Sequence, residues 1–476
     1  MGTRLKAMLA SGESPDRSWN PRSRTGTAIR KMVKECILPL LAGGLLFLTA
    51  ASCVTEAASG SKSASSFTAS NRPDQADDQT STLVIRAGHL VDPESESSQT
   101  GQSILIRGGK IEAIGVDVEV PKGATVLDYS KSWVLPGLFD AHTHLCAEMS
   151  ARWHVEEFLV YSLAEQAPFR AIRGVVNARE MLEAGFTSVR DMGNAGDYAD
   201  TQLVRAIDTH LIPGPSVIAA GRIIAPFGGQ FRWRTRPDVL NDPEYYFADS
   251  KDEMRKAVRE NVYYGARVIK VAVDSQPYGY SVDDLRFIVE EARNAGVRVA
   301  AHCQTQQGAR RAAEAGVASI EHGWTLDDSD FELIRRNGVI LVTTDFPVHV
   351  LEATLLDKTA AVKFHKKLVD RLHRAYAAGV EIAFGSDVMT AVPHQTRGTA
   401  SLSYLSSFVE AGIPARQILR SLTTIPARLL GVEKQRGRLA VGMAADLIAV
   451  GGDPQNDTMT LSAVQLVVKD GRVVSR

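Results

Sequence analysis

The chain has 476 residues, of which 44% are hydrophobic and 23% are charged, and its formal net charge at pH 7 is −1. This is the composition of an ordinary globular protein, and the length accommodates one large α/β domain together with a smaller domain. Because no long basic run interrupts the body of the chain, the charge pattern gives no support to nucleic-acid binding.

The N-terminal segment, residues 1–53, has the pattern of an export signal. Five basic residues between positions 22 and 34 precede an apolar stretch at positions 36–51, which is short for a membrane span and is interrupted by Pro39. A basic region followed by a short apolar core and small residues indicates a secretory signal. The stretch ends in a bacterial lipoprotein-like processing site, with Cys53 as the predicted lipidated residue.

Residues 54–81 are mostly Ser, Ala, Asp, Gln and Thr, and we expect them to form a disordered tether. Together with the signal, the tether predicts an exported protein that is periplasmic or held at a membrane only through a lipid on Cys53. Simple cleavage near Ala57 without lipidation is the alternative. The long basic region also leaves open a translation start at Met8 or Met32.

Short strand-like runs occur at both ends of the remaining chain. They lie near residues 82–86, 103–107 and 110–114, and again near 446–450 and 464–468, with glycine-containing turns between neighbours. We predict that residues 82–135 and 435–476 combine into one small β-sandwich domain.

Between these ends, strand-like runs alternate with amphipathic helical patterns, which is typical of a β/α barrel. Residues 136–434 are therefore predicted to form an α/β domain, a (β/α)8 TIM-like barrel. The eight strand candidates are Leu138–Leu145, Ser188–Met192, Ser216–Ala220, Val268–Val273, Arg298–His302, Ser319–His322, Ile340–Thr344 and Glu381–Ser386. In such barrels the catalytic groups lie at the C-terminal ends of the strands.

Two histidines in the first predicted barrel strand form an H-x-H pair, His142 and His144. Side chains on a strand alternate between faces, so both imidazoles point the same way and can share one metal ion. Surface histidines produce the same pattern by chance, so the pair alone is a weak signal. The surrounding run, Leu135–His144, is the stronger observation.

Four further candidates fall at the C-terminal ends of later strands: Lys270, His302, His322 and Asp387. A lysine inside an apolar strand has few structural uses, although a salt-bridged lysine is the alternative to a metal role. A histidine that ends an apolar strand is commonly a hydrogen-bonded core residue. Six candidates in barrel order favour a shared metal site over these separate explanations.

The run Leu135-Pro136-Gly137-Leu138-Phe139-Asp140-Ala141-His142-Thr143-His144 closely resembles the first metal motif of the amidohydrolase superfamily, and the resemblance extends over residues 82–476. By this resemblance Lys270 matches the lysine that carbon dioxide carboxylates at its side-chain nitrogen to bridge two metals. His302 and His322 match the ligands of the second metal, and Asp387 matches the strand-eight aspartate.

The resemblance implies two divalent cations, with zinc as the default, although cobalt, manganese or iron also occupy such ligand sets. It further implies that a hydroxide bridging the metals attacks a carbonyl carbon, and that Asp387 takes the proton and returns it to the leaving amine. A carbamate on Lys270 suits this site because it presents two anionic oxygens, whereas an ammonium presents none.

Within the superfamily, the chain looks most like the binuclear, imidazolonepropionase-related group that contains prolidase-like Xaa-Pro dipeptidases and ochratoxin-type amidases. We therefore predict hydrolysis of an amide bond in a small-molecule substrate, a dipeptide or an N-acyl amino acid. By this resemblance His394 is a candidate substrate contact, with a solvated loop histidine as the alternative. Tyr278 and Tyr280 follow the fourth predicted strand and are candidates to hydrogen-bond a substrate carbonyl or carboxylate. Oligomers are common in the group, whereas the sequence itself does not indicate an oligomeric state.

One departure concerns the run after the third strand, where relatives often carry Gly-Gly-His and this chain has Gly228-Gly229-Gln230. Gln230 and the following Arg232 are candidate substrate contacts, since an arginine can clamp a carboxylate through two hydrogen bonds. A solvated loop arginine is the alternative. The same metal site also suits a lactonase, a phosphotriesterase or a cyclic-amide hydrolase.

Overall fold

The computed structural model describes residues 82–150, 155–231, 244–354 and 357–475. The predicted signal, the predicted lipid site at Cys53, the predicted tether and Arg232 all lie outside the described residues. Among the helices that are described, none is long and apolar enough to cross a membrane.

The described residues form strands and helices in alternation. The strands in chain order are β1 (Thr82–Leu90), β2 (Gln99–Arg107), β3 (Lys110–Gly115), β4 (Thr125–Pro136), β5 (Leu138–Thr143), β6 (Phe186–Asp191), β7 (Ser216–Ala219), β8 (Ile223–Ala225), β9 (Tyr245–Phe247), β10 (Val268–Ala272), β11 (Arg298–Cys303), β12 (Ser319–His322), β13 (Ile340–Val342), β14 (Ile382–Ala383), β15 (Leu447–Val450), β16 (Val464–Lys469) and β17 (Arg472–Ser475).

The helices in chain order are α1 (Val155–Ala164), α2 (Ala167–Glu183), α3 (Ala199–Asp208), α4 (Lys251–Tyr263), α5 (Val282–Asn294), α6 (Gln306–Ala315), α7 (Asp328–Arg336), α8 (Val348–Thr354), α9 (Lys358–Ala377), α10 (Arg397–Ser403), α11 (Leu405–Glu410), α12 (Ala415–Ser421) and α13 (Thr424–Leu430). Two of the amphipathic patterns that separate the predicted strands, Val282–Ala295 and Gly308–Ala315, correspond to α5 and α6.

The two ends of the described chain meet in one seven-stranded sheet, with the strand order β17-β16-β15-β4-β1-β2-β3. Strand β4 joins the two ends, because it pairs in parallel with β1 and antiparallel with β15. Apolar side chains from both ends, such as Ile85 and Leu447, are fully buried in a common cluster. Strands from both ends thus share one sheet, whereas a β-sandwich domain with the limits 82–135 and 435–476 stays a prediction.

All eight predicted barrel runs overlap a strand of the structure. Strands β5, β6 and β7 form one parallel sheet. Strands β10 to β14, together with β8 and β9, form a second sheet of parallel pairs. The strands of both groups are almost entirely buried, as expected for parallel strands that are covered on both faces.

Local sequence fixes where several of the surrounding helices begin. Ser250 and Ser281 cap α4 and α5 as capping boxes, each accepting a bond from the backbone of the third helical residue. Asp327 does the same for α7. Helix α6 ends at Gly316, whose φ of +84° is a left-handed conformation that glycine adopts without strain. The N-caps of α5 and α7 follow the loops after β10 and β12, at the strand ends that carry candidate ligands, whereas Gly316 lies at the opposite end, before β12.

Candidate metal centre

The six candidate ligands lie on five different strands or the residues directly after them. His142 and Lys270 are within β5 and β10, His302 is within β11, and His322 is the last residue of β12. His144 and Asp387 follow β5 and β14. The five basic side chains belong to residues that are at most 4% exposed, and the Asp387 side chain is 13% exposed. Asp387 is therefore the one that solvent reaches most readily.

His142, His144 and Asp387 form the tightest part of this cluster. One ligand atom from each lies within 4.8 Å of the others. Oδ1 of Asp387 is 3.1 Å from Nε2 of His144 and 3.6 Å from Nε2 of His142. The three atoms converge on one point, which is the arrangement that a divalent cation needs.

The back of the His142 ring is held by a buried carboxylate that the sequence analysis did not single out. Nδ1 of His142 lies 2.7 Å from Oε2 of Glu321, and Arg190 donates to both Glu321 oxygens at 2.8 and 2.9 Å. The Ser319 hydroxyl also donates to Glu321. A carboxylate on Nδ1 keeps the proton there, which leaves Nε2 as a lone-pair donor for a metal.

His144 is oriented by the loop after β6. Its Nδ1 lies 2.9 Å from the Gly193 carbonyl, so Nε2 again faces Asp387. Asp191 shapes this loop by accepting bonds from the Leu145 and Gly193 backbone N–H groups, at 2.5 and 3.2 Å. Burial, aided by the nearby Asp200 carboxylate, raises the pKa of Asp191.

Lys270 lies against the same histidine. Its Nζ is 3.3 Å from Nε2 of His142, the ring nitrogen that would bind a metal. Burial lowers the pKa of Lys270 to about 8, although the Glu321 and Asp387 carboxylates oppose that shift. The amine is therefore neutral in about a tenth of molecules at pH 7 and in about half at pH 8.

His302 and His322 form the second half of the cluster, with ring centroids 4.6 Å apart. Nδ1 of His322 lies 2.9 Å from the Thr344 hydroxyl. Nδ1 of His302 lies 3.4 Å from the Gln230 amide nitrogen, and Nε2 of His302 is buried with no hydrogen-bond partner in the described part of the chain. A buried imidazole nitrogen without a partner is costly unless a ligand occupies it. Because an amide nitrogen can only donate, Nε2 is available to a metal when Gln230 turns its amide oxygen to the Nδ1 proton.

Burial lowers the pKa values of His142, His302 and His322 well below the ordinary value for histidine. For His142 and His302 the nearby Lys270 charge adds to the effect, and for His322 the neighbouring histidines add to it. The rings are consequently neutral at pH 7, and a neutral imidazole is the form that binds metals.

The backbone at the strand ends is unusual in three places. His322, Thr344 and Asp387 have φ values of +67°, +49° and +55°, in the left-handed region that non-glycine residues rarely adopt. Such conformations persist only where surrounding contacts hold them, and they cluster at functional sites. Here they turn His322 and Asp387 toward the same point, since their side-chain atoms approach to 3.6 Å.

Asp140 ties the first strand to the residues around Asp387. Its Oδ1 accepts from the backbone N–H groups of His142 and Ser386, at 3.0 and 3.1 Å, and its Oδ2 accepts from the Ser401 hydroxyl at 2.7 Å. Burial raises the pKa of Asp140 to about 6, against these lowering hydrogen bonds. This carboxyl group links β5 to the segment that leads to Asp387.

The candidate substrate residues have different surroundings. Gln230 reaches the cluster, because its side-chain amide contacts His302. The Tyr278 hydroxyl donates to the Phe227 carbonyl at 2.8 Å, and the buried Tyr280 donates to the Ala248 carbonyl at 2.7 Å. Neither tyrosine hydroxyl bonds to a candidate ligand among the described residues. His394 is exposed on the loop after β14, with a φ of +63°.

The donor set fits divalent cations. Four buried imidazoles, a carboxylate and a lysine lie together at the strand ends, and one imidazole nitrogen has no hydrogen-bond partner among the described residues. Imidazole and carboxylate are the ligands of zinc and similar metals in proteins. A cluster of this kind has no evident structural purpose without a cation, because it leaves polar groups buried and unpaired.

Known proteins of several activities resemble this chain. An ochratoxinase from Aspergillus niger is 26% identical over 436 residues, which cover 83% of this chain and 87% of the relative. An imidazolonepropionase from Cupriavidus pinatubonensis is 24% identical over 402 residues, covering 80% and 90%.

The solved structure of a Xaa-Pro dipeptidase with bound methionine in the active site is similar in fold as well. It matches with a TM-score of 0.73 and 30% identity, and the match covers 83% of this chain and 99% of the dipeptidase. The amidohydrolase family model matches residues 133–474, which is well over half of the chain and includes all six candidate ligands. The chain belongs to the amidohydrolase family and is a metal-dependent hydrolase of amide bonds.

Proposed function

We propose that this chain hydrolyses the amide bond of a dipeptide or an N-acyl amino acid at a binuclear metal centre. The observation that carries the proposal is the position of Lys270, whose Nζ lies 3.3 Å from the metal-facing nitrogen of His142. A buried lysine there suits a bridge between two cations and is not needed for a single one. The similarity to a solved Xaa-Pro dipeptidase supports the dipeptide as substrate class.

We also propose that β5, β6, β7 and β10 to β14 close into one eight-stranded barrel. Backbone hydrogen bonds join the two sheets at both sides. Ala141 donates to Phe384 and Asp387 donates to His142, both at 2.8 Å, and Arg267 donates to Ala219 at 2.9 Å. Closure of this kind would bring the ligand-bearing strand ends to one rim.

In this proposal His142, His144 and Asp387 hold one cation, His302 and His322 hold the other, and Lys270 joins them as a carbamate. The lowered pKa of Lys270, caused mainly by burial, supports the carbamate, because only a neutral amine reacts with carbon dioxide. When bound, the cations polarise the substrate carbonyl and lower the pKa of water, and zinc is the default for this donor set.

Asp387 is the proton carrier in the proposed reaction. Its side chain is the most exposed of the six, and its Oδ1 lies 3.1 Å from Nε2 of His144. It accepts the proton of the attacking water as the new carbon–oxygen bond forms, and it returns that proton to the nitrogen as the carbon–nitrogen bond breaks. The products are a carboxylic acid and an amine, so the atoms balance without another reactant.

The decisive experiment combines metal analysis of the purified protein with a library of dipeptides and N-acyl amino acids, scored for released amino acid. We expect about two equivalents of divalent metal per chain and activity that chelation removes and metal restores. Cleavage of lactones or phosphotriesters without any amide cleavage would overturn the proposed substrate class. A metal-free protein with full activity would overturn the binuclear centre.

A further inference from the structure

The loop that carries Gln230 is held by side chains from the loop of the next strand. We call residues 227–231, which follow β8, the glycine loop, and residues 273–281, which follow β10, the donor loop. The Gln276 amide nitrogen lies 3.1 Å from the Gly228 carbonyl and 2.9 Å from the carbonyls of both Gly229 and Phe231. The Tyr278 hydroxyl, also in the donor loop, donates to the Phe227 carbonyl. Side chains of the donor loop therefore bond to four of the five backbone carbonyls of the glycine loop.

These contacts require the conformation that the two glycines provide. Gly228 and Gly229 have φ values of +91° and +69°, which turn their carbonyls toward the same amide. A side-chain amide has two hydrogens, so the three carbonyls share them and one bond is bifurcated. A Cβ at Gly228 would approach the Gln276 nitrogen to 3.3 Å, so there is little room for a larger residue.

The backbone carbonyls of the residues before and after Gln230 both accept hydrogen bonds from Gln276. Its own side chain extends from the loop to His302, with the amide nitrogen 3.4 Å from Nδ1. The following Phe231 packs against Phe158 of α1, with ring centroids 4.9 Å apart. The backbone around Gln230 is therefore held by the Gln276 hydrogen bonds and by the packing of Phe231. This backbone conformation directs the Gln230 side chain toward His302.

We propose that Gln276 is a positioning residue that sets the Gln230 amide against His302 and so fixes the orientation of the His302 imidazole. Tyr278 assists by holding Phe227, the first residue of the glycine loop. The consequence for catalysis rests on the proposed function, whereas the holding of the glycine loop rests on the contacts alone. The proposal also gives Tyr278 a structural task in place of a substrate contact.

The first test measures amide hydrogen exchange of the peptide that contains the glycine loop, with no metal or substrate added. Gln276→Ala removes the donors, and Gln276→Glu keeps the size but presents a carboxylate to carbonyls that need a donor. We expect both variants to speed exchange by at least about fivefold, as for local opening of a loop. Gln202→Ala, an exposed glutamine on α3, is the matched control and should leave exchange unchanged.

The second test is a double-mutant cycle on the metal-loaded protein with a cleaved amide substrate. Because Gln276 acts through Gln230, the variants Gln276→Ala, Gln230→Ala and the double variant should each lower kcat/KM by about tenfold. If the two effects multiplied, the double variant would lower kcat/KM by about a hundredfold. The two residues would then act independently, which would overturn the proposal. The visible absorption of the Co²⁺-loaded protein should change alike in both single variants.

The outcomes separate the two proposals. Exchange at wild-type rates in Gln276→Ala would overturn the positioning role, whatever the enzyme hydrolyses. If the wild-type protein cleaves no amide in the library, the proposed function fails, while hydrogen exchange and the Co²⁺ spectrum still decide whether Gln276 sets Gln230 and His302. An unchanged spectrum together with faster exchange would overturn the link to His302.

Discussion

The two halves of the metal centre use the same kind of ligand but are supported by different chemistry. The ring of His142 is backed by the Glu321 carboxylate, and Asp387 adds a second anion to that half. The rings of His302 and His322 are backed by neutral groups, the Gln230 amide and the Thr344 hydroxyl. An anionic acceptor makes its histidine a stronger donor to the metal.

From this difference we expect the two halves to differ in metal affinity and in their effect on the substrate carbonyl. We expect the His142 half to bind its cation more tightly, since more negative charge surrounds it. The cation of the His302 half would receive less electron density from its ligands than the cation of the His142 half, so it would polarise a substrate carbonyl more strongly. The following predictions test this contrast.

The largest effect is expected from Asp387→Asn, which removes the proposed proton carrier and the proposed anionic ligand of the His142 half. Because asparagine can neither accept nor return the proton, kcat should fall by about 10²- to 10⁴-fold. Steady-state kinetics and metal analysis on the same sample measure this. Asp283→Asn, at an exposed carboxylate on α5, is the control. Retention of kcat within tenfold would remove Asp387 from the reaction.

Glu321→Gln tests the anionic support of His142 and should have the next largest effect. The affinity of the tighter metal site should fall by about 10- to 100-fold, as measured by competition with a chelator. The melting temperature should fall too, because Arg190 loses its buried counter-ion. Ser319→Ala, which leaves the carboxylate in place, should retain the affinity, and Glu290→Gln on the exposed face of α5 is the matched control.

The pH dependence of reconstitution with metal tests Lys270, the group proposed to join the two halves. The pKa of Lys270 is lowered to about 8, so its neutral fraction rises as the pH passes through 8. Metal-free protein given metal and a fixed concentration of dissolved carbon dioxide, instead of fixed bicarbonate, should therefore recover activity about tenfold faster at pH 9 than at pH 7. Lys270→Gln should recover no activity at either pH. A rate that falls as the pH rises would contradict carbamate formation on this amine.

The smallest effect is expected from Thr344→Val, which removes the neutral hydrogen bond to His322 and keeps the shape of the side chain. Loss of one such bond costs about 0.5–1.5 kcal/mol, or about two- to tenfold in metal affinity. The same chelator competition measures it beside Glu321→Gln. If Thr344→Val weakened binding more than Glu321→Gln did, the contrast between the halves would be reversed.

Much of the fold followed from patterns that are local in sequence. All eight predicted strand runs and the pairing of the two chain ends appear in the structure, because strand alternation and strand-like runs are set over a few residues. The six candidate ligands were proposed because they lie on or shortly after predicted strands and match the ligand positions of one family. Glu321 was missed, although it adjoins His322, because its partners Arg190 and His142 lie 131 and 179 residues away.

The substrate residues show the limit of such patterns. Tyr278 and Tyr280 both follow β10 and look equivalent in sequence, yet one is half exposed and the other is buried. Their hydroxyls bond to Phe227 and Ala248, which belong to loops that only the folded chain brings near. A side chain's direction in a loop depends on these distant carbonyls, so sequence alone could not assign either tyrosine.

The sheet that joins the two chain ends has a consequence for biosynthesis. Strand β4 pairs with β1 early in the chain, but its other edge pairs with β15, and Ser132 bonds to Gln465, 333 residues later. During synthesis that edge therefore stays open until nearly the whole chain has been made. Removal of β15 to β17 would leave a permanent unpaired edge, which other chains can join, so a C-terminally shortened protein should aggregate instead of yielding a smaller enzyme.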